Sequence, residues 1–322
     1  MPNTVFRTVL IGLGNIGLKY DINKSKEDFI QTHARAFTLN PGFDLLAGVD
    51  INSQTCSSFT ESYNIKSYID LEYALLEVKP DLVILSVPTH KQLETIKKIV
   101  NCFLPKSILC EKPMGGSVDH GLKILNVCRE NNINLYVNYV RRSLPAAKEI
   151  KNRIQSNVIK APIKSVIWYS KGISHNGSHF INLMEYWFGK CIDIKLISKG
   201  REYKDFGFEP QVYIKFKNAE SILIPAWEES YSHYTIEIIS ASGRLYWNQN
   251  TLEWKGLDSS NSMDNHVFLS DISEAIFTGS NKYQKYVADE LYSAMMERPN
   301  SIASGDEALE TLETLDRILS LK

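Results

Sequence analysis

The sequence predicts a two-domain α/β protein: an N-terminal doubly wound parallel sheet followed by a C-terminal α+β domain with a large, mainly antiparallel open sheet. Three observations predict this fold class. Short apolar runs alternate with helical patterns through the first 140 residues, a glycine-rich turn follows the first run, and longer alternating runs begin after about residue 160. Because the 322 residues exceed one usual domain length, we place the domains at 1–140 and 141–322.

The first domain takes its elements from this alternation. Its predicted strands are nearly continuous in apolar character, as expected of parallel strands covered on both faces. They are residues 5–11, 44–49, 82–87, 107–110 and 133–137. The segments between them carry apolar residues at helical spacing, which predicts helices at 53–63, 71–78, 90–100 and 118–131.

The second domain has a different texture. Alternating runs broken by turn signals such as Lys217-Asn218 and Ser242-Gly243 indicate strands of an antiparallel sheet with one covered face. These predicted strands are residues 163–169, 211–216, 221–226 and 235–239. One helix is predicted from near Ser178, and two more at 282–297 and 305–321.

Composition narrows the partners of the chain. Lys plus Arg number 36 against 37 Asp plus Glu, so no field of one sign favours nucleic acid or an anionic membrane. Without a leader-like start or an apolar window of about 18 residues, the sequence predicts a cytoplasmic protein. Five cysteines without a C-x-x-C pair indicate reduced thiols rather than disulfides or a metal site. We therefore expect a small-molecule partner.

The glycine-rich turn Gly12-Leu13-Gly14-Asn15-Ile16-Gly17 directly follows the first predicted strand. A strand, this turn and a helix form a dinucleotide-binding fingerprint. The first glycine permits the tight turn, the second lets the backbone approach a pyrophosphate, and the third lets helix and strand pack closely. The start of the helix then offers unpaired N–H groups to phosphate. Asp50 ends the second strand, where its carboxylate can accept hydrogen bonds from the adenosine ribose.

The spacing between the turn and Asp50 exceeds the usual value of about 20 residues. A polar and charged insertion, Lys19 to Asp28, accounts for the excess. Residues 51–54, Ile-Asn-Ser-Gln, contain no arginine that would pair with a 2'-phosphate, which favours NAD over NADP. The lysines of the insertion leave NADP open. The insertion also lies where it would cover the cofactor or narrow the entry of substrate.

Four further segments, in this order and spacing, resemble the Gfo/Idh/MocA family of oxidoreductases. They are Ser86-Val87-Pro88-Thr89-His90, Glu111-Lys112-Pro113, Asn138-Tyr139-Val140-Arg141-Arg142 and Asn176-Gly177-Ser178-His179. The resemblance implies hydride transfer between a nicotinamide and a secondary hydroxyl or ketone of a sugar, cyclitol or sugar nucleotide. It also implies pairing of chains through the open sheet, as a homodimer or homotetramer.

The resemblance places Lys112 beside the nicotinamide and the reacting hydroxyl, with His179 facing it. We expect His179 to accept the hydroxyl proton while Lys112 holds the substrate oxygen and relays the proton. The family commonly has aspartates four residues before and three residues after this histidine, where the chain has His175 and Asn182. His175 therefore remains an alternative base or a substrate donor, and Asn182 a neutral substrate contact.

The fingerprint and the resemblance together give the full set of expected contacts. Cofactor contacts are expected from Gly12, Gly14, Asn15, Ile16, Gly17, Asp50, Ser86, Pro88, His90, Glu111 and Lys112. Substrate contacts are expected from Lys112, Asn138, Arg141, Asn176, His179 and Asn182. Of the two neighbouring arginines, 141 and 142, one is expected to bind substrate and the other to form a structural ion pair. For His33 we expect a capping or packing role.

Aromatic residues concentrate in the second domain and are expected mostly in its core or in a subunit interface, with a minority stacking on a sugar ring. They are Trp168, Tyr169, Trp227, Tyr231, Tyr234, Tyr246, Trp247 and Trp254. Two other functions stay open at this point, both known in the family: a glycosidase that uses bound NAD for a transient oxidation, and a dinucleotide-binding regulator without catalysis.

Overall fold

The computed structural model describes residues 4–203, 207–226, 228, 230–263 and 266–321, which form two compact units. The first unit contains residues 4–143 and 281–312, and the second contains 144–280 and 313–321. The α-helices of the described residues are α1 His33–Leu39, α2 Ser53–Tyr63, α3 Leu71–Val78, α4 Gln92–Cys102, α5 Val118–Glu130, α6 Pro145–Gln155, α7 Ser178–Phe188, α8 Tyr283–Met295 and α9 Gly305–Leu319. No helix in these ranges is long and apolar enough to cross a membrane.

The first unit is built on a seven-stranded sheet of order β16-β6-β5-β4-β1-β2-β3. All neighbours pair in parallel except β16, which is antiparallel to β6. Its strands are β1 Phe6–Ile11, β2 Phe43–Val49, β3 Lys66–Tyr68, β4 Leu82–Leu85, β5 Ser107–Glu111, β6 Asn134–Asn138 and β16 Ala303–Ser304. The predicted doubly wound sheet is confirmed. The strand order reverses between β1 and β4, the switch point at which such sheets bind ligands.

The insertion interrupts the helix that the glycine turn begins. Leu18 N donates to Gly14 O (2.9 Å), the first hydrogen bond of a helical turn. Lys19 N and Tyr20 N both donate to Asn15 O (3.0 Å each). The carbonyls of residues 16 and 17 instead accept from groups remote in sequence, His33 N (3.0 Å) and Ala34 N (2.9 Å). The backbone therefore leaves the helix after Lys19 and re-enters it as α1. The looped-out segment runs to residue 32, beyond the predicted end at Asp28.

Two buried charges fix the inserted segment. The Asp21 carboxylate, with no exposed surface, accepts from Thr32 N (3.0 Å) and Thr32 Oγ1 (2.7 Å). The Arg35 guanidinium, 2% exposed, ion-pairs with Asp21 (Nε to Oδ1, 3.6 Å). It also donates to the carbonyl oxygens of residues 21, 24, 25 and 29. A planar cation with several fixed donors suits such a cage of carbonyl oxygens. The insertion is therefore an ordered part of the first unit, held by specific polar contacts.

Residues 281–312 belong to the first unit, whereas the predicted boundary at residue 140 assigned them to the second domain. The apolar face of α8 joins the core of the first sheet with Val287 and Leu291. The ring of Tyr292 contacts Phe6 and Phe43, at centroid distances of 5.9 and 5.8 Å. The insertion joins the start of this segment, since the backbone of residue 30 bonds to those of 281 and 284. Helical spacing identified α8 but does not reveal which core its apolar face completes.

The second unit is built on a nine-stranded sheet of order β14-β13-β12-β11-β7-β10-β9-β8, with β15 paired to β13. Its strands are β7 Ile163–Tyr169, β8 Cys191–Ser198, β9 Gln211–Phe216, β10 Glu220–Pro225, β11 Thr235–Ser240, β12 Gly243–Asn248, β13 Thr251–Met263, β14 His266–Leu269 and β15 Glu274–Ile276. Only the β7–β10 pair is parallel among the described neighbours. The predicted mainly antiparallel sheet is confirmed.

The aromatic residues of the second unit divide between core and surface. Tyr169, Trp247 and Trp254 are buried, whereas Trp168 is 40% and Tyr231 is 69% exposed. Tyr234 and Tyr246 are half-buried, and Trp227 lies outside the described residues. Along β7 buried and more exposed side chains alternate, so Trp168 stands on the open face while Tyr169 faces the core.

Candidate functional site

The three glycines of the turn have different surroundings. Gly12 has φ +92°, and a Cβ built on it would lie 2.7 Å from the Ser86 backbone. A Cβ on Gly17 would lie 2.2 Å from Gly12 O, so this glycine allows the helix to approach the strand. A Cβ on Gly14 would meet no atom within 4 Å. Open space at the second glycine is what the approach of a pyrophosphate requires, so the turn fits a dinucleotide.

We predict that Gly14→Ala leaves the fold intact but raises the dissociation constant for NAD about 10-fold or more, because the added methyl occupies the space that the phosphates need. Isothermal titration calorimetry with NAD measures the change. Gly17→Ala serves as the matched comparison: its Cβ meets backbone, so it should lower the melting temperature as well. Unchanged NAD affinity in Gly14→Ala would argue against a pyrophosphate at this turn.

Asp50 holds the turn in place. Its Oδ2 accepts from Leu13 N (2.8 Å) and its Oδ1 from Asn52 N (2.9 Å), which ties the end of β2 to the fingerprint. A carboxylate has about four lone-pair sites, so acceptors remain for ribose hydroxyls. The Asn52 side chain caps α2 by accepting from the N–H groups of residues 54 and 55. It therefore uses its carbonyl on protein backbone.

Ser86 and His90 follow β4, and the structure gives them different surroundings. The Ser86 hydroxyl donates its hydrogen to Gly12 O in the glycine turn (2.6 Å). Toward a cofactor, this hydroxyl can therefore act only as a hydrogen-bond acceptor. Pro88 and His90 are exposed. His90 lines a pocket of about 290 Å³ together with Lys97 and His120 of α4 and α5. None of the glycine-turn residues lines this pocket.

Half-buried Glu111 and buried Asn138 and His33 form a cluster at the ends of β5 and β6. Oε1 of Glu111 lies 2.7 Å from His33 Nε2 and 2.7 Å from Asn138 Nδ2. His33 is 1% exposed and Asn138 has no exposed surface. Glu111 and Asn138, predicted to contact cofactor and substrate, therefore contact each other through Oε1 and Nδ2. His33, for which we expected capping or packing, is the third member. Its neighbours in the sequence, Thr32 and Ala34, do not indicate a contact with Glu111.

The side chain of Gln92, the first residue of α4, forms hydrogen bonds to the backbone of the loop that carries Lys112. Gln92 is fully buried, and its Nε2 donates to Glu111 O (2.7 Å) while its Oε1 accepts from Gly115 N (2.7 Å). These two bonds fix the backbone on both sides of Lys112-Pro113. Sequence reasoning missed Gln92, whose only signal is a polar residue on the covered face of an amphipathic helix.

Lys112 lies in a strongly perturbing environment. Burial lowers the pKa of the Lys112 amine to about 8, the Glu111 carboxylate opposes this change, and the Arg141 guanidinium adds to it. A lysine with a pKa near neutrality can give and take a proton at ordinary pH. The Lys112 amine is therefore equipped for acid–base work.

The two neighbouring arginines take different positions. Arg142 is buried and ion-pairs with Glu307 through its guanidinium. Arg141 is half-buried and acts electrostatically on Lys112 and on Tyr283, the first residue of α8. Burial raises the pKa of Tyr283, and the charges of Tyr20, Asp21 and Glu111 raise it further, so its hydroxyl stays a neutral donor. The sequence analysis did not single out Tyr283.

The predicted residues of the second unit lie on a π-helical turn, Gly172–Gly177, and on α7 directly after it. His175 is exposed, Asn176 is half-buried, and His179 and Asn182 are 6% and 1% exposed. Because His179 and Asn182 are three residues apart on α7, their side chains lie on one helix face. Wide helical turns of this kind occur often at functional sites.

Buried Glu209 fixes the start of this turn and was missed from the sequence. Its carboxylate, 1% exposed, accepts from Gly172 N (3.2 Å) and from Arg201 Nε (2.9 Å). Lys171, which precedes the turn, has φ +62° and ion-pairs with Glu228 at 2.7 Å. The two positions at which the family commonly has aspartate hold His175 and Asn182 in this chain. Two other carboxylates, those of Glu209 and Glu228, contact the start of the turn.

The cysteine thiols are poor nucleophiles. Burial raises the pKa of Cys128 to about 12, and it raises the pKa of the other four thiols as well. Within the described residues, no three His, Cys, Asp or Glu side chains are grouped so as to hold a metal ion.

Comparison with known families identifies a match for most of the first unit. Residues 6–139 match the model of the GFO_IDH_MocA oxidoreductase family, described as an NAD-binding Rossmann fold. This match covers the glycine turn, the motifs that begin at residues 86 and 111, and the first two residues of the motif that begins at residue 138. The family resemblance, the Rossmann fold and the NAD cofactor predicted from the sequence are confirmed.

Two curated relatives match in part. The chain is 28% identical to the uncharacterized oxidoreductase YrbE of Bacillus subtilis over 157 residues, which are 48% of this chain and 41% of that protein. It is 25% identical to the rhizopine catabolism protein MocA of Rhizobium meliloti over 156 residues, 48% of this chain and 44% of that protein. The matched region thus spans less than half of either relative.

Solved structures resemble the whole chain. The aldose-aldose oxidoreductase of Caulobacter crescentus, complexed with glycerol, aligns with a TM-score of 0.76 at 14% identity, covering 98% of this chain and 96% of that one. The WlbA dehydrogenase of Bordetella pertussis, in complex with NADH and UDP-GlcNAcA, aligns with a TM-score of 0.74 at 13% identity, covering 99% and 96%. At these identities the likeness shows the fold alone.

Proposed function

We propose, from the premise that residues 6–139 belong to the Gfo/Idh/MocA family of NAD-binding oxidoreductases, that this chain transfers a hydride between nicotinamide and a secondary hydroxyl or ketone of a carbohydrate. The substrate class is a sugar, a cyclitol or a sugar nucleotide. Neighbours in fold that act on aldoses or bind UDP-GlcNAcA support a carbohydrate. A cytoplasmic location also stays a prediction.

The observation that carries the proposal is the environment of Lys112. Oxidation of a secondary alcohol removes a hydride from carbon and a proton from oxygen, so the chain must supply a group that takes the proton. When bound, NAD supplies the hydride acceptor. Lys112 has a pKa of about 8 and lies directly after β5, at the edge of the sheet where ligands of such folds bind.

Within this proposal the residues have separate tasks. Lys112 holds the substrate oxygen and relays its proton, and His179 accepts the proton, with His175 as the alternative acceptor. Arg141, Asn176 and Asn182 are proposed to contact substrate. The glycine turn and Asp50 are proposed to hold the dinucleotide, and the absence of arginine at residues 51–54 favours NAD over NADP.

We predict opposite pH dependence in the two reaction directions. Below pH 8 the Lys112 amine is mostly protonated and cannot take a proton, so alcohol oxidation should rise with pH through a limb near 8. Ketone reduction needs the protonated amine and should fall over the same range. Initial rates in both directions at saturating substrate measure the limbs. Equal dependence in both directions would exclude Lys112 as the group that titrates.

The function is tested by incubating the protein with NAD or NADP and a panel of aldoses, cyclitols, uronates and UDP-sugars while NADH absorbance is followed. Growth of absorbance with any member supports the proposal. Release of sugar from a glycoside without a net change in absorbance would identify the NAD-dependent glycosidase instead. Binding of NAD with neither reaction would identify a regulator.

The open face of the second sheet is proposed to pair copies of the chain as a dimer or tetramer. Exposed apolar side chains, including Trp168 (40%) and Ile239 (48%), stand there beside the charged pair Arg244–Glu237. Aromatic side chains and arginine are enriched at interfaces between proteins. Sedimentation equilibrium of the purified protein tests the proposal, and a monomer at micromolar concentration would refute it.

A further inference from the structure

We propose that His33, Glu111 and Asn138 form a positioning unit that holds the Glu111 carboxylate beside Lys112 and so fixes the placement and charge state of the Lys112 amine. This inference deepens the proposed function and rests on it. It assigns Glu111 and Asn138 to Lys112 rather than to direct contacts with cofactor and substrate.

The geometry of the cluster carries the first step. Both donors converge on one oxygen, Glu111 Oε1, at 2.7 Å from His33 Nε2 and 2.7 Å from Asn138 Nδ2. The three side chains come from α1, β5 and β6, so the cluster ties three elements of the first unit together. Hydrogen bonds to a charged group are about twice as strong as neutral ones. The carboxylate therefore has little freedom to move.

The tautomer of His33 supports a full charge on Glu111. His33 Nδ1 is buried and has no hydrogen-bond partner among the described residues, so a proton there would be a buried, unpaired donor. The arrangement fits a neutral imidazole that carries its hydrogen on Nε2 and donates it to Glu111. Glu111 then remains an anion without a cationic partner inside the cluster.

That negative charge acts on the neighbouring residue. Glu111 raises the proton affinity of Lys112, whereas burial and Arg141 lower it. Tyr283 of α8 is the further titratable group that couples to both Glu111 and Arg141. Without the Glu111 charge, burial and Arg141 would act unopposed, and the pKa of Lys112 would fall further below its ordinary value.

Position is the second contribution. Glu111 O accepts from the buried Gln92 side chain while the Glu111 carboxylate is held by the other two residues. The residue before Lys112 is therefore fixed through both its backbone and its side chain. A catalytic group held in this way loses little entropy when the substrate binds.

The decisive test is Glu111→Gln, which keeps the shape and an acceptor oxygen for both donors but removes the charge. We expect the Lys112 titration to move down by about 1 pH unit or more. It is followed by NMR of ¹³C-lysine side chains in the cofactor-free protein, with the Lys112 signal assigned by its absence in Lys112→Met. The oxidation limb should shift equally. Glu77→Gln, an exposed carboxylate on α3 that pairs with Lys66, is the control and should move neither.

The NMR titration separates this inference from the proposed function. If the protein oxidises no substrate but the Lys112 titration shifts in Glu111→Gln, the positioning unit stands and the proposed function fails. An unmoved titration in a folded variant overturns the inference, whatever the activity.

A second pair of variants tests the inference independently if Glu111→Gln does not fold. His33→Leu removes one donor and should lower kcat about 10-fold with little change in KM, the equivalent of one lost hydrogen bond. His33→Gln can still donate an N–H to the carboxylate and should recover most of that loss. Equal kcat in His33→Leu and wild type would overturn the inference.

Discussion

Lys112→Met is expected to lower kcat for alcohol oxidation by about 10²–10⁴-fold, the range over which positioned proton transfer contributes to catalysis. Methionine keeps an unbranched side chain of similar length, so the packing around residue 112 changes little while the amine is lost. The affinity for NAD should change far less, because the glycine turn and Asp50 are proposed to bind most of the dinucleotide. Steady-state kinetics and calorimetric titration with NAD measure the two quantities separately.

Lys123→Met is the matched control for this experiment. Lys123 lies on α5, is 54% exposed and pairs with Asp119 at i,i+4, so its removal should leave kcat unchanged. Wild-type kcat in Lys112→Met would refute the proposed role of the amine. Loss of NAD binding together with kcat would instead assign Lys112 to the cofactor.

Arg35→Leu is expected to lower the free energy of unfolding by about 3–5 kcal/mol, because it leaves the buried Asp21 carboxylate without its cation. The same change removes the donors to the carbonyls of residues 24, 25 and 29, which shape the insertion. Urea unfolding followed by far-UV circular dichroism measures the loss. Amide exchange should also show faster exchange across residues 19–32.

Arg129→Leu is the matched control, since Arg129 is 53% exposed and pairs with the exposed Asp306. Exposed ion pairs contribute at most about 1 kcal/mol, so its unfolding curve should nearly overlay that of the wild type. A loss of less than 1 kcal/mol in Arg35→Leu would show that the insertion is held by its apolar contacts instead. Arg35→Lys should recover only part of the loss, because one ammonium cannot reach the carbonyls that the guanidinium spans.

Much of the fold was predictable because its signals are local. Three predicted elements, 53–63, 71–78 and 163–169, coincide with α2, α3 and β7, whose apolar spacing is regular. Strands without that signal were missed. The three-residue β3 is too short to show an alternation of apolar and polar residues. All four residues of β14 are exposed, so this strand lacks the alternation of buried and exposed side chains that marks a strand in the sequence.

The candidate site was predictable in part. The motifs selected Lys112, Glu111 and Asn138, but they could not tell a ligand contact from a contact within the protein. His33 and Gln92 were not selected, since a single histidine or glutamine in a helix has many possible roles. Their partners are remote in sequence: Glu111 lies 78 residues from His33 and 19 from Gln92.

The sequence by itself determined the glycine turn and the doubly wound sheet, and it predicted the family resemblance and the lysine to which we propose to assign the chemistry. Each depends on residue type and spacing within short stretches, where turn geometry and the helix and strand periods act. Only the tertiary structure decided that α1 resumes the helix begun at Gly14, that residues 281–312 complete the first core, and that Glu111 is held by His33 and Asn138. Those contacts join segments far apart in the chain, and they form only when folding brings together polar groups whose burial without a partner would cost free energy.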